Sequence, residues 1–194
     1  MTSLPFPATA ACDAEERTPA ACNTGAQRLE FADVYASHFD FVWRSVRHLG
    51  VPPSALDDAV QDVWLVVHRR LPDFQGRSSV TTWLFGIALN IVRSRRRQRE
   101  IIAGSAPLSE ELESPAPDPE RRVAGNDAWR LVQLFLEELS ELSRAVFVSA
   151  LLENLTPAET AEAIGVDVET VYNQVRALRR SFQRRLSRQQ ESHS

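Results

Sequence analysis

Lysine is absent from the 194 residues, so each of the 22 basic side chains is an arginine. Cysteine is nearly absent too. Cys12 and Cys22 both lie in the Ala/Pro/Thr-rich start of the chain, away from any convincing His partner. Their spacing fits no zinc pattern and a reducing compartment disfavours a structural disulfide, so they read as two free thiols. No apolar run approaches the roughly 20 residues needed to span a bilayer, which argues against membrane insertion. The first arginine is Arg17, so no basic start precedes an apolar core as in a signal peptide, and the expected compartment is the cytoplasm. Alternation of strand type is missing over any useful length, leaving an all-α expectation. A Ser/His/Asp array, a phosphate-binding loop and a metal cluster are missing as well. The expected function is therefore binding rather than catalysis, with no cofactor, no metal and no small-molecule substrate.

What is present is a soluble, globular composition, 43% hydrophobic and 25% charged. The net charge of −4 hides a segregation. Five arginines fall between Arg93 and Arg99, and six more between Arg176 and Arg188 with no acid among them. Acids gather just before the second cluster, from Glu137 to Glu169. Local field rather than net charge steers a polyanion, so two basic ends suit phosphate contacts while the remainder stays acidic.

The strongest local signal is Leu155–Arg180. Thr156 is a candidate N-cap, Pro157 suits the first helical position, and Glu159 completes a capping box. Gly165 provides the left-handed residue that ends a short helix over Ala158–Ile164. Asp167 starts a second helix, with Val166 and Val171 placed as a hydrophobic staple. Two helices and a three-residue turn make a helix-turn-helix, which suggests DNA as a partner. On the last helix Val168, Val171, Val175, Leu178 and Phe182 form the inward stripe. Glu169, Thr170, Tyr172, Asn173, Gln174, Arg176, Arg179 and Arg180 make the candidate reading face. Asn and Arg there suit bidentate contacts to adenine and guanine, and the later arginines suit phosphates. A merely solvated helix face is the plainer alternative.

Upstream, residues 1–28 lack periodicity and are expected to be disordered. A first helix is striped by Phe31, Val34, Tyr35, His38, Val42, Val46 and Leu49, and Gly50-Val51-Pro52-Pro53 stops it. Ser54 is the expected cap of a second helix with the stripe Leu56, Ala59, Val60, Val63, Val67 and Leu71. Asp58, Gln61 and Asp62 form a polar patch beside that stripe, with Trp64 at its margin. The patch suits a basic protein partner, or plain solvation. The loop Asp73-Phe74-Gln75-Gly76-Arg77-Ser78-Ser79 has the composition to receive an unstacked base. A third helix is striped by Leu84, Ile87, Ala88, Ile91 and Val92. Its opposite side offers Trp83, Gly86, Asn90, Arg93 and Arg97 to nucleic acid, unless Trp83 is simply packed core. Residues 101–125 hold Pro107, Pro115, Pro117 and Pro119 among several acids and read as an acidic linker. Helical pattern resumes at Asp127 through Leu131, Leu134, Phe135 and Leu139, then Val146, Phe147, Ala150 and Leu151. The expected architecture is all-α: two small helical domains, residues 29–100 and 126–188, joined by a flexible linker, with a short tail over 189–194.

Three stretches resemble the bacterial sigma-70 family, in its compact two-domain extracytoplasmic-function (ECF) group. LDDAVQDVW (Leu56–Trp64) is similar to the family's D-x-x-Q-x-x-aromatic signature. TTWLFGIALNIVRSRRR (Thr81–Arg97) resembles its W-L-x-x-I-A-x-N run ending in arginines. The helix-turn-helix is the third, and the resemblance spans about Phe31 to Arg188. It implies that Asp58, Gln61, Asp62 and Trp64 belong to the helix that docks on the clamp of the largest subunit of core RNA polymerase. It implies that Phe74, Gln75, Gly76, Arg77, Ser78 and Ser79 capture a flipped base of the promoter −10 element. Trp83, Asn90, Arg93 and Arg97 would then hold the melted strand. The helix-turn-helix would read the −35 element and touch the polymerase flap, and an anti-sigma protein would be a further partner. Family members often carry Lys, Ser and Arg where this chain has Tyr172, Asn173 and Gln174. The competing expectation is a stand-alone helix-turn-helix regulator that binds DNA without polymerase.

Overall fold

A computed structural model of the protein describes residues 29–105 and 126–191, and all regular structure among them is helical. The expected N-terminal tail, most of the expected linker and residues 192–194 lie outside the described residues. Helix α1 (Phe31–His48) and α2 (Leu56–Arg70) pack with α3 (Val80–Ser105) into a first helical unit. Helix α4 (Asn126–Glu138), α5 (Glu141–Val146), a π-helical turn (Phe147–Leu152), α6 (Pro157–Ile164) and α7 (Val168–Glu191) make the second. Two boundaries differ from expectation. The third helix runs on through Ser105, into what reads as linker, and α7 runs into the expected tail.

The first core follows its stripes closely. Leu56, Ala59, Val60, Val63, Val67 and Leu71 are all buried, against Val34, Val42 and Val46 of α1 and Leu84, Ile87 and Ala88 of α3. Ser54 does not cap α2. It sits inside a 3-10 turn (Pro53–Ala55), and the N-cap Ala55 has no side chain able to accept a bond. The cap that the sequence left unread is Ser79, whose Oγ accepts from the Thr82 amide at 3.1 Å at the start of α3. Tyr35 is a stripe residue that stays exposed, at 41%, with its ring 4.7 Å from that of Trp64.

The second core centres on Phe135, Phe147 and Phe182, whose ring centroids lie 5.2–5.8 Å apart, a favourable spacing for tilted aromatic pairs. Val171 and Leu178 are buried with it, whereas Leu134 and Val168 are both 40% exposed, so neither faces the core as its stripe predicts. Val168 stands at the first turn of α7, where the helix has only begun to enter the core.

The two units share this second core. Phe85 and Leu89 of α3 and Leu49 beyond α1 are buried among residues of α4–α7. Helix α3 is therefore apolar on two sides, one toward α1 and α2 and one toward α6, as a helix covered from both directions must be. Gly86 permits the close approach: a Cβ there would lie 3.4 Å from the Ala163 carbonyl oxygen of α6. A second joint forms at Gly50, whose φ of +98° suits glycine. The Arg144 guanidinium passes over it to donate to the Leu49 carbonyl at 3.3 Å, and a Cβ at Gly50 would collide with Nη1.

Candidate nucleic-acid interface

Helices α6 and α7 form the helix-turn-helix as its capping residues dictate. The Thr156 amide donates to the Glu159 carboxylate at 2.9 Å, and the Glu159 amide donates to Thr156 Oγ1 at 3.2 Å. The Thr156 amide, then its hydroxyl, hold the Glu159 carboxyl below the ordinary range, with smaller help from Ser79 and Thr82. Gly165 ends α6 in the left-handed conformation. Val166 and Val171 both join the core behind the turn.

On α7, Glu169, Tyr172, Asn173, Arg176, Arg179 and Arg180 are exposed together, with Tyr172 at 60%. Thr170 is half-buried. Gln174 is also half-buried and accepts from the Ser143 hydroxyl at 3.3 Å, so it lies at the edge of the face, against α5. Arg185 leaves this surface to pair with Glu138 of α4.

The surface before and along α3 is less open. Phe74 packs against Trp83 as a tilted pair with centroids 4.9 Å apart, and both are half-buried against the first core. Gln75, Gly76 and Arg77 are exposed beside them, and Ser78 is half-buried. Ser79 is committed twice: it caps α3, and its hydroxyl donates to Glu159 of the capping box at 3.0 Å. Asn90 and Arg97 are exposed, but Arg93 donates to Glu141 of α5 at 2.7 Å. Gly86 is only partly open, where the single-stripe reading of α3 requires a free face, because α6 packs against it. Phe85 and Leu89, which that reading missed, are the apolar residues that bring α6 there. Their i, i+4 spacing on a second face was the available signal.

On α2, Asp58 and Gln61 are exposed. Asp62 is partly covered and accepts from Arg95 Nε at 2.8 Å. Trp64 is not at a surface margin. It is 6% exposed and packs edge-on against Phe31 at 6.0 Å, so its size goes into the first core.

Two segments of the chain match known families: residues 34–101 match Sigma-70 region 2, and residues 129–181 match Sigma-70, region 4. The RNA polymerase sigma factor NccH of Alcaligenes xylosoxydans xylosoxydans is 30% identical over 149 residues, covering 75% of this chain and 80% of that protein. The chain belongs to the sigma-70 family of RNA polymerase sigma factors. CnrH of Cupriavidus metallidurans is 29% identical over 171 residues, covering 84% of this sigma factor and 89% of CnrH. Several further matches are named ECF RNA polymerase sigma factors. The solved structure of CnrH in complex with the cytosolic domain of CnrY superposes with a TM-score of 0.57 at 25% identity, covering 88% of this chain and 93% of that one. The sigma factor RpoE of Bartonella quintana, solved in complex with the anti-sigma factor NepR, gives 0.66 at 20% identity, with 81% and 96% covered, a likeness of fold. Among the described residues, no helix is long and apolar enough to cross a membrane.

Proposed function

We infer that this chain is an alternative sigma factor of the ECF type, which binds core RNA polymerase, brings it to specific promoters and helps open the DNA there. The observation that carries this reading is the order of its two family segments together with the open face of α7. A stand-alone helix-turn-helix regulator would need the second unit alone and leaves the region 2 segment without a purpose.

In this reading Asp58 and Gln61 dock on the polymerase clamp, with Asp62 adding charge and Trp64 acting only by holding α2 on its core. The exposed Gln75-Gly76-Arg77 tip and the Phe74–Trp83 pair receive a flipped −10 base, while Asn90, Arg93 and Arg97 hold the strand. For a strand to follow that whole face, α6 must leave Gly86 and Glu141 must release Arg93. Glu169, Tyr172, Asn173 and Arg176 read the −35 element, Arg179 and Arg180 hold its phosphates, and Thr170 and Gln174 flank the face. The factor contributes binding energy and no covalent step. Opening DNA forfeits about 1.4 kcal/mol of stacking per base step, so captured bases must offset several such terms. Two small surfaces bind weakly alone, and tethering both to polymerase raises their effective concentration. The factor works in the cytoplasm, where polymerase and chromosome are. CnrH and RpoE were each solved with a partner, and an anti-sigma protein is the corresponding partner here.

Run-off transcription with purified core polymerase on an ECF-type promoter tests the reading. Transcripts that depend on the added chain are expected; absence of both transcripts and co-elution with polymerase would sink it. Asp58→Ala with Gln61→Ala is expected to weaken co-elution by about tenfold, the size of one lost charge-assisted contact.

A further inference from the structure

Where α3, α5 and the turn after α1 meet, they enclose a cleft of about 300 Å³ that shares only Arg93 with the proposed promoter-contacting residues. Arg95, Arg96 and Arg99 of α3 and Arg144 of α5 line it, with Arg93 and Glu141 at one side. Val51, Leu89 and Val92 supply an apolar floor.

The charges in this cleft do not balance. Arg93 is matched by Glu141, Arg95 by Asp62 at 2.8 Å, and Arg96 by Glu100 at 3.1 Å and more loosely by Glu141 at 3.9 Å. Arg99 has no partner among the described residues. Arg144 is surrounded by carbonyls rather than carboxylates, donating to Leu136 at 2.9 Å and to Leu49 and Glu137 at 3.3 Å. Burial, and then the nearby Arg96 charge, push its pKa down, as expected of a cation in a positive field. Arg99 thus has no carboxylate partner among the described residues, and Arg144, though within the field of Glu137, donates to none.

Arginine forks fit phosphate oxygens, and cations around a cleft with low-dielectric walls focus their field into it. The volume lies at the small end of ligand sites, which suits one or two phosphoryl groups rather than a polymer. We propose that the cleft binds a small phosphate-bearing anion of diphosphate size, held by Arg96 and Arg99 above the fixed charge of Arg144. The site takes residues from both helical units, so it is complete only while they are together. Its ligand therefore stabilises the closed arrangement through mass action. This adds a small-molecule input to the initiation role and does not depend on it.

Calorimetric titration of the full chain with inorganic pyrophosphate, at constant ionic strength, is the test. One saturable site is expected. Arg96→Ala with Arg99→Ala should weaken it about tenfold or more, the effect of losing a charge-assisted hydrogen bond. Arg179→Ala with Arg180→Ala, on α7, should leave the affinity within about twofold, since distant sites act independently. Thermal melts of both variants verify that they fold. Titrating ADP in parallel separates the sources: tighter binding than pyrophosphate identifies a nucleotide whose base uses the apolar floor, and equal binding identifies the inorganic anion. Absence of saturable heat, or equal weakening by the two arginine pairs, overturns the proposal. No polymerase or promoter enters the assay, so its failure leaves the initiation reading untouched.

Discussion

Helices α3 and α7 are the two long arginine-bearing helices of the molecule, of 26 and 24 residues, and they meet opposite fates. Helix α7 keeps one apolar side in the core and leaves its polar face to solvent. Helix α3 is covered on both sides, by α1 and α2 and by α6, and among Trp83, Gly86, Asn90, Arg93 and Arg97 only Asn90 and Arg97 stay exposed and unpaired. The two arginine-bearing helices therefore differ in exposure: the polar face of α7 is open, and that of α3 is partly covered. What separates them is one pair of apolar residues, Phe85 and Leu89, and one glycine.

The difference between α3 and α7 depends most on Phe85, which is fully buried. Phe85→Ala should cost about 3–5 kcal/mol in urea unfolding. Its distinctive mark is faster amide exchange in α6 as well as in α3. Exchange that rises only in α1–α3 would mean that the two units do not share a core.

A smaller effect sharpens the open side. Asn173→Ala and Arg176→Ala should each cost about 1–3 kcal/mol of −35 discrimination, the value of one good bidentate base contact. Binding of the polymerase complex to matched and altered promoters measures it. Urea midpoints should stay at the parent value, because both side chains are exposed.

The least of the expected effects is one of pH. His48 faces the junction, with its ring 4.9 Å from that of Trp129, Glu153 at 3.8 Å, and Arg47 and Arg44 nearby. Burial first, then Arg47 and Arg44, lower its pKa from 6.5 to about 4. Between those values the unfolded chain binds more protons than the folded one. The stability contribution is therefore complete above about pH 6.5 and falls on acidification toward pH 4. Burial raises the Glu153 carboxyl despite its Arg44 partner, which opposes part of this slope. His48→Gln should flatten the decline in melting temperature between pH 7 and 5. An unchanged slope would assign it to other groups.

The one-sided elements were legible in the residues. The α2 stripe, the Thr156–Glu159 box and the Gly165 stop rest on local chemistry, in which neighbours in sequence are neighbours in space. The exposed polar face of α7 was legible for the same reason, except Thr170 and Gln174, which are half-buried, the latter drawn toward α5 by a distant serine. What stayed hidden depends on packing between units: the Ser79–Glu159 bond, the Arg144–Gly50 joint and the partial covering of Gly86. Trp64 was hidden by packing within the first unit, since a tryptophan at the edge of a stripe goes inward only if another helix brings Phe31 and Tyr35 to meet it.

In the function proposed here, both promoter-contacting surfaces are present and α6 partly covers the one before and along α3. The role of that cover is tested most directly by fixing the Ser79–Glu159 contact. Ser79→Cys with Glu159→Cys, in a chain whose Cys12 and Cys22 are serine, can be joined by a short thiol cross-linker. Singly substituted chains treated alike serve as controls. The joined protein should still bind core polymerase through α2 yet fail to open promoter DNA in a permanganate footprint. Promoter opening by the joined protein as full as by the controls would contradict the account.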